Sequence, residues 1–418
     1  MSERTVRRCD TKVGRPVLAA RPRLLALNQY YRPAPEADGQ LLAELCEALI
    51  GEYDVTVVTG RSSGASGPGW SSRGGVRVVR VPSAALQRTR LSFRALNYLT
   101  YIALALPAGG LARRPDVILC MTNPPFLGVA ALLLARRFQV PLVVVSQDVY
   151  PEVAIALGQL HRSPLIEALD RSTRFYLQRA DRIVAIGETM RRRLEEKGTP
   201  PERISVIPNW VDTTVITPQA HDNDWSRLHG LAGRFVVMHS GNVGHAQNLD
   251  ALVCASALLG DLDDLVVTIV GAGAGHTALA RLAAELRANK VRLLPYQPRS
   301  VLSQSLSAAS IHVVGLAAGL AGYVVPSRVY GILAAGRPVI VAAEAESETA
   351  ELIRRAECGV VVPPGDPDAL AAIIRRAHAG ELDLERMGRR AREHAVAEAD
   401  REVAVARYRA LLRDVRAA

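Results

Sequence analysis

Short runs of Val, Ile and Leu at consecutive positions recur along the chain, separated by longer segments whose apolar residues return every three or four positions. Consecutive apolar residues mark strands covered on both faces, as in parallel sheets, and the longer period marks amphipathic helices. The pattern predicts strands over residues 23–28, 54–59, 76–81, 116–121, 141–146, 182–186 and 204–207. Helices are predicted between them, over 38–50, 93–106, 126–138, 165–179 and 188–197. The last opens on Glu188, whose charge suits a helix N-terminus, and stops before Gly198. Strand, helix, strand without hairpins predicts a doubly wound α/β domain.

After the turn Pro208-Asn209-Trp210-Val211-Asp212 and a polar stretch to Gly233, the pattern restarts. Strands are predicted over 235–240, 265–270, 291–294, 311–314, 338–341 and 359–362. Their helices fall near 248–259, 277–289, 301–308, 327–335, 348–356, 367–378, 384–397 and 401–413. The expected architecture is therefore α/β, two doubly wound domains facing a cleft. Residues 1–20 read as a basic tail, 21–214 as the first domain, 215–397 as the second, and 398–418 as a final helix packing back on the first. The Ser- and Gly-rich stretch 61–75 reads as a surface excursion in preference to a substrate-side flap.

A length of 418 residues suits two or three domains, and 49% hydrophobic with 22% charged residues excludes extended disorder. Charge is uneven: splitting the chain after Val215 leaves 29 basic and 19 acidic residues before the cut, against 22 of each after it. A basic half can face nucleic acid, an acidic lipid surface or a phosphorylated substrate. No zinc-ligand spacing, recognition helix or aromatic-basic RNA motif accompanies it, which disfavours nucleic acid. Cys9, Cys46, Cys120, Cys254 and Cys358 are scattered and odd in number, and so read as thiols in a reducing cytoplasm. The N-terminus has arginines but no apolar core of a secretory signal. The apolar stretches 96–111 and 126–135 fall short of the ~20 residues that span a bilayer and read as buried helices.

Three segments are suited to chemistry. Ser240-Gly241-Asn242-Val243-Gly244 joins a buried strand to a helix, where glycines can turn amides toward a diphosphate or simply make a tight turn. Gly271-Ala272-Gly273-Ala274-Gly275 stands in a similar place. It is not a dinucleotide fingerprint, because His276 replaces the last glycine and the next strand leads to Pro295 and Tyr296 without a ribose-binding acid. In the segment 319–339, Ser327 could cap a helix, and Arg328 in its first turn is opposed by the helix dipole unless an anion lies nearby. The D-x-D pairs Asp222/Asp224, Asp261/Asp263 and Asp366/Asp368 lie away from the ends of strands, so no metal site is expected.

In order, the landmarks YYRPAPEADGQLLAELCEAL, TNPPF, QDVYPE, VIPNWVD, SGNVGHAQNLD, IVGAGAG, VVPSRVYGILAAGRPVI and CGVVVPPGDPDAL span nearly the whole chain. In them the chain resembles the retaining, family 4 type glycosyltransferases of the Rossmann-like GT-B fold, in the branch making capsular, O-antigen and colanic-acid-like polysaccharides. The resemblance implies transfer of a sugar from a nucleotide diphosphate sugar of unknown base to a glycan, lipid-linked or small-molecule acceptor. No other cofactor is implied. The second domain would hold the donor. Ser240, Gly241, Asn242, Gly244, Ser327 and Arg328 would meet its diphosphate, and Gly271, Gly273, Tyr296 and Tyr323 would lie on the nucleoside side. Tyr30, Gly39 and Gln147 would face the acceptor. Asp148 would orient it or stabilise an oxocarbenium ion, or else cap the turn before Pro151. Asp38 could be the N-cap of the first helix, and Asp212 could fix the domain junction.

The chain departs from the family pattern at several positions. Asn242 and Gln247 stand where many members have Arg and Lys, with Arg328 able to supply the displaced charge. Tyr323 and Gly331 stand where two Glu are common, so the ribose-binding carboxylate is missing. A sugar-nucleotide epimerase of the same fold and a non-catalytic nucleotide-sugar binding partner are the alternatives. The basic first half suggests peripheral contact with the cytoplasmic membrane face, with Arg88, Arg90 and Arg94 beside the apolar stretch 96–111 as lipid contacts.

Overall fold

The computed structural model describes residues 21–34, 36–61, 67, 69–86, 91–161 and 163–417. The tail 1–20, Arg88, Arg90 and most of the stretch 62–68 lie outside the described residues.

The first sheet has eight strands: β1 (Arg23–Leu27), β2 (Asp54–Thr59), β3 (Gly69–Arg73), β4 (Val76–Arg80), β5 (Val117–Met121), β6 (Leu142–Ser146), β7 (Arg182–Ala185) and β8 (Ile204–Val206). Their order is β3-β4-β2-β1-β5-β6-β7-β8. It is flanked by α1 (Ala37–Leu49), α2 (Leu91–Gly110), α3 (Leu127–Phe138), α4 (Glu152–Ala156), α5 (Pro164–Leu177) and α6 (Glu188–Glu196).

After α7 (Asp224–Leu228), the second sheet comprises β9 (Phe235–Ser240), β10 (Leu265–Val270), β11 (Val291–Leu294), β12 (Ile311–Gly315), β13 (Val339–Ala342) and β14 (Gly359–Val362). Its order is β11-β10-β9-β12-β13-β14, parallel throughout. The accompanying helices are α8 (Asp250–Leu258), α9 (His276–Glu285), α10 (Leu302–Ser307), α11 (Arg328–Ala334), α12 (Glu348–Ala356), α13 (Pro367–His378), α14 (Leu384–Glu398) and α15 (Arg401–Ala417). The expected pair of doubly wound domains is present. In each sheet the strand order reverses beside its first strand, between β1 and β5 and between β9 and β12. Open α/β sheets bind ligands outside the carboxyl ends of strands at such points.

Two expectations change. Residues 69–73 are a strand, not part of a loop: β3 pairs antiparallel with β4 across Gly74 and Gly75, both at positive φ. Two successive glycines suit a tight hairpin, and because every β3 residue is exposed the strand carries no apolar signal. Helix α2 is not simply buried. Its inner face supplies Tyr101 and Ala105 to the core, while Leu96, Leu99 and Leu111 are 46%, 61% and 85% exposed.

The two halves interlock. Val153 of α4 and, at its edge, Tyr150 pack into the core of the second half, and Val325 packs into that of the first. Asp148 and Val324 form an antiparallel bridge, and the amide of Val149 donates to the carbonyl of Tyr323 at 2.9 Å. Glu348, which opens α12, accepts from the amide and hydroxyl of Thr189, each at 3.0 Å, and so caps the first turn of α6. Asp212 accepts from Thr214 and Val215 and pairs with Arg401 at 2.7 Å. That pair seats the start of α15, whose Ala404, Val405, Tyr408, Leu411, Leu412 and Val415 join the core beneath β1 and α1. Tyr408 meets Trp210 edge-on at 5.9 Å. Truncating so large a buried ring costs on the order of 3–5 kcal/mol. Tyr408→Ala is therefore expected to lower the urea midpoint of the first half strongly, and an unchanged midpoint would mean that α15 contributes little there.

Candidate active site

The donor-side segments lie at the carboxyl end of β9. Ser240 ends that strand, and Gly241 follows at φ 136°. The loops after β9 and β10 meet backbone to backbone. The amide of Gly241 donates to Val270 at 2.8 Å, that of Val243 to Ala272 at 2.9 Å, and that of Gly275 to Val243 at 2.9 Å. A Cβ on Gly271 would lie 1.8 Å from the Gly241 carbonyl oxygen, and one on Gly273 would lie 2.2 Å from that of Val243. Gly271 and Gly273 thus have a packing duty that their expected nucleoside-side role did not include.

The amides expected to cradle an anion are partly used up. Gly244 donates to Gln247 Oε1 at 3.0 Å, so it joins Gly241 and Val243 in bonding within the chain. Gln247, at a position where many relatives carry a base, is buried and braces the turn. Among the described residues, the backbone N–H of Asn242 has no partner in the chain, while its side-chain amide donates to Gln247 Oε1 at 3.5 Å.

Arg328 opens α11 and reaches back over this loop. A Cβ on Gly241 would stand 3.1 Å from its Cζ. Nη1 donates to His239 Nε2 and to the carbonyl of Asn242 at 3.3 Å. Nε is buried without a partner, and among the described residues Arg328 pairs with no carboxylate. Burial pushes its pKa down to about 10. Tyr296, 56% exposed after β11, lies close enough to couple electrostatically to Arg328. Ser327 stands at the N-cap position but does not cap with its side chain, since its own backbone is already helical there.

The first-domain residues gather at the carboxyl ends of β1, β5 and β6. Asp148 follows β6, and burial with the nearby Asp38 raises its pKa to about 7. The Asp148 side chain accepts no hydrogen bond among the described residues, so it caps no turn before Pro151. Asp38 is not the N-cap of α1, a place taken by Glu36. It accepts instead from Asn123 at 2.9 Å and Asn28 at 3.4 Å, and burial raises its pKa too. Gly39 lets α1 approach Tyr30, whose carbonyl carbon would lie 2.9 Å from a Cβ there. Tyr30 is buried beside it.

Gln147 is engaged at both ends of its amide with Asn209, at 3.1 and 2.9 Å, which makes it a brace between β6 and the junction turn rather than a free acceptor contact. Tyr323 is likewise engaged. Its ring lies 4.8 Å from the Arg193 guanidinium of α6, at the contact between halves. Arg94 bonds Gln159 at 3.1 Å and couples to Tyr98, Tyr150 and Tyr30, so it belongs to the cleft rather than to a lipid-facing surface.

Sequence reasoning missed His239, Glu344 and Glu348. Glu344, placed after β13, accepts from the amides of Gly319 and Ala321 at 3.1 and 3.3 Å and shapes the segment leading to Arg328. A charged residue just past a strand's carboxyl end was the available signal. His239 lies inside an apolar strand and gave none. Gly331 leaves room for a side chain, its nearest neighbour being Leu306 at 3.6 Å from a Cβ. The D-x-D aspartates are engaged elsewhere: Asp222 with the Gly233 amide, Asp261 with Arg375, and Asp366 as the cap of α13.

Comparison with known proteins agrees with this geometry. Residues 39–210 match the family described as glycosyl transferase 4-like domain, and 223–394 match glycosyl transferases group 1. The chain is 30% identical to WbjE of Pseudomonas aeruginosa, named as a probable glycosyltransferase, over 66% of this chain and 69% of that one. It is 28% identical to WcaI of Escherichia coli (strain K12), whose name places it in colanic acid biosynthesis, over 69% of this chain and 72% of that one. Among solved structures, HepE of Anabaena in complex with UDP superposes with a TM-score of 0.73 at 16% identity, covering 94% of this chain and all of that one. By this fold and these matches, the chain belongs to the family 4 type glycosyltransferases of the GT-B fold, which transfer sugar from a nucleotide sugar.

Proposed function

We propose that the chain transfers a hexose with retention at the anomeric carbon, from a nucleotide diphosphate sugar to a glycan or lipid-linked acceptor. The observation that carries this reading is Arg328, a half-buried cation with no carboxylate partner, set over the turn after β9. A guanidinium so placed stabilises the negative charge that develops on a departing diphosphate. The Asn242 amide adds a donor on the same side. Tyr296 offers a stacking face to the base. Of the D-x-D pairs, Asp261 is paired with Arg375 and Asp366 caps α13, and Arg328 would supply the neutralising charge that a metal supplies elsewhere.

In the reaction the bond from C1 to the phosphate oxygen breaks, and the acceptor oxygen bonds to C1 on the same face. The acceptor proton passes to the departing phosphate, so no covalent nucleophile is needed. Asp148, in the first half and bridged through its backbone to the segment that carries Arg328, orients the acceptor hydroxyl or stabilises positive charge at C1. Burial makes its charge sensitive near neutrality: with its pKa raised to about 7, the carboxylate form prevails only above that pH.

The outer face of α2 supports a peripheral site on the cytoplasmic membrane face, where a lipid-linked acceptor would be held. Ala95, Leu96, Leu99, Ala103, Pro107 and Leu111 are exposed along it, and exposed Arg113 and Arg114 follow its end. Apolar patches rimmed by basic residues suit an anionic interface. No described helix is long and apolar enough to cross a membrane.

Three outcomes are expected. With a donor chosen from UDP-, GDP- and dTDP-sugars, release of the nucleoside diphosphate should require acceptor, and NMR of the product should show the donor's anomeric configuration. Inversion, or conversion of the donor without acceptor, would overturn the reading. The kcat/KM of the wild type should rise through about pH 7, and Asp148→Asn should be slower and lack that inflection. An inflection that survives the substitution would assign it to another group. Leu96→Gln with Leu99→Gln should reduce co-sedimentation with anionic vesicles, and salt should release the wild type, since the screening length is ~8 Å at physiological ionic strength. Equal recovery of variant and wild type would remove α2 from the lipid contact.

A further inference from the structure

We propose that His239 is a positioning residue for the transfer: a neutral imidazole that turns Arg328 so that its free edge meets the donor diphosphate. This rests on the diphosphate role of Arg328 argued above. His239 is fully buried on β9, directly before Ser240. Its Nδ1 lies 3.2 Å from the carbonyl of Val313 on β12. Nε2 also lies 3.4 Å from the carbonyl of Asn242, so the carbonyls alone do not choose the tautomer. The Arg328 guanidinium, which can only donate, faces Nε2 and so gives it the lone pair, with the proton on Nδ1. That lone pair receives Nη1 of Arg328, and the carbonyl of Asn242 receives the same nitrogen at 3.3 Å.

Both acceptors sit on Nη1. Nε, buried and unpartnered, is left beside Nη2, and these two form the edge of a guanidinium that grips two oxygens of one phosphate. The neutrality of the holder matters as much as its position. Carboxylates hold some other arginines of the chain, as Glu44 holds Arg32 at 2.9 Å and Asp261 holds Arg375 at 2.5 Å, whereas Arg337 and Arg392 are held, like Arg328, by neutral acceptors. A carboxylate at position 239 would fix Arg328 equally well but cancel the charge meant for the phosphate. An imidazole kept neutral by burial and by the guanidinium beside it fixes the group and leaves the full charge to the ligand. The place of His239 at the reversal of strand order explains why β9 carries a polar side chain among Val236, Val237 and Met238.

Calorimetry separates this role from a structural one. UDP, GDP and dTDP are titrated first, and the base that binds tightest is then compared as mono- and diphosphate. The wild type should prefer the diphosphate, and Arg328→Ala should lose that preference. His239→Phe, similar in volume but without an acceptor, should weaken the diphosphate about tenfold, the scale of a hydrogen bond to a charged group, while leaving the monophosphate unchanged. His239→Gln should recover part of the loss, and His239→Glu should bind the diphosphate no better than His239→Phe. In the Arg328→Ala background, His239→Phe should have no further effect, because the two act as one unit. If Phe fails to fold, the Gln and Glu variants decide alone, since a merely structural histidine would not rank them by charge. A diphosphate preference lost in Arg328→Ala but intact in the His239 variants would overturn this inference alone. No preference in the wild type would overturn the role of Arg328 itself.

Discussion

A guanidinium held half out of water without a carboxylate to balance it is the constraint around which the second half is built. Burying such a charge is costly unless something compensates, and the depressed pKa of Arg328 expresses that cost. The chain provides two neutral acceptors and no anion. In the proposed reading a donor diphosphate supplies the missing anion. Everything near Arg328 serves this arrangement. Gly271 and Gly273 let two loops close against each other, Gly241 turns where a side chain would press on the guanidinium, and Glu344 holds the approaching segment by its amides.

The same segment ties the halves together. Its residues 323 and 324 bond to Val149 and Asp148, so the group proposed to meet the acceptor and the group proposed to meet the diphosphate belong to one continuous backbone connection. Glu348 on the amide and hydroxyl of Thr189, with Arg193 over the Tyr323 ring, closes that side of the junction. At the other side, Glu44 is reached by Arg32 of its own half, by Trp210 of the junction and by Arg299 of the second half. These polar contacts flank the apolar packing of Val153, Tyr150 and Val325 across the halves.

The strands were readable because parallel strands buried on both faces are apolar at every position, as in β6 and β10. The order of the elements gave two doubly wound domains, while the reversal of strand order is seen only in the sheets themselves. What escaped depended on contacts between distant segments. β3 carries no apolar pattern because both its faces meet water. Gly271 and Gly273 read as ligand-facing because a glycine's permissiveness is the same for a phosphate as for another backbone. Gln147 and Tyr323 sit at the expected edge, yet each is taken by a partner far away in sequence, Asn209 and Arg193. Arg94 looked lipid-facing from its neighbours along the chain, and only the packing of α2 turns it inward.

The account depends most on where a diphosphate settles. A crystal structure of the chain with a bound nucleoside diphosphate measures this directly. The account predicts the terminal phosphate within ~3 Å of Nε and Nη2 of Arg328, above the turn at Gly241, with Nη1 still on His239. A phosphate bound elsewhere in the cleft, with Nε of Arg328 still unpartnered, would contradict it.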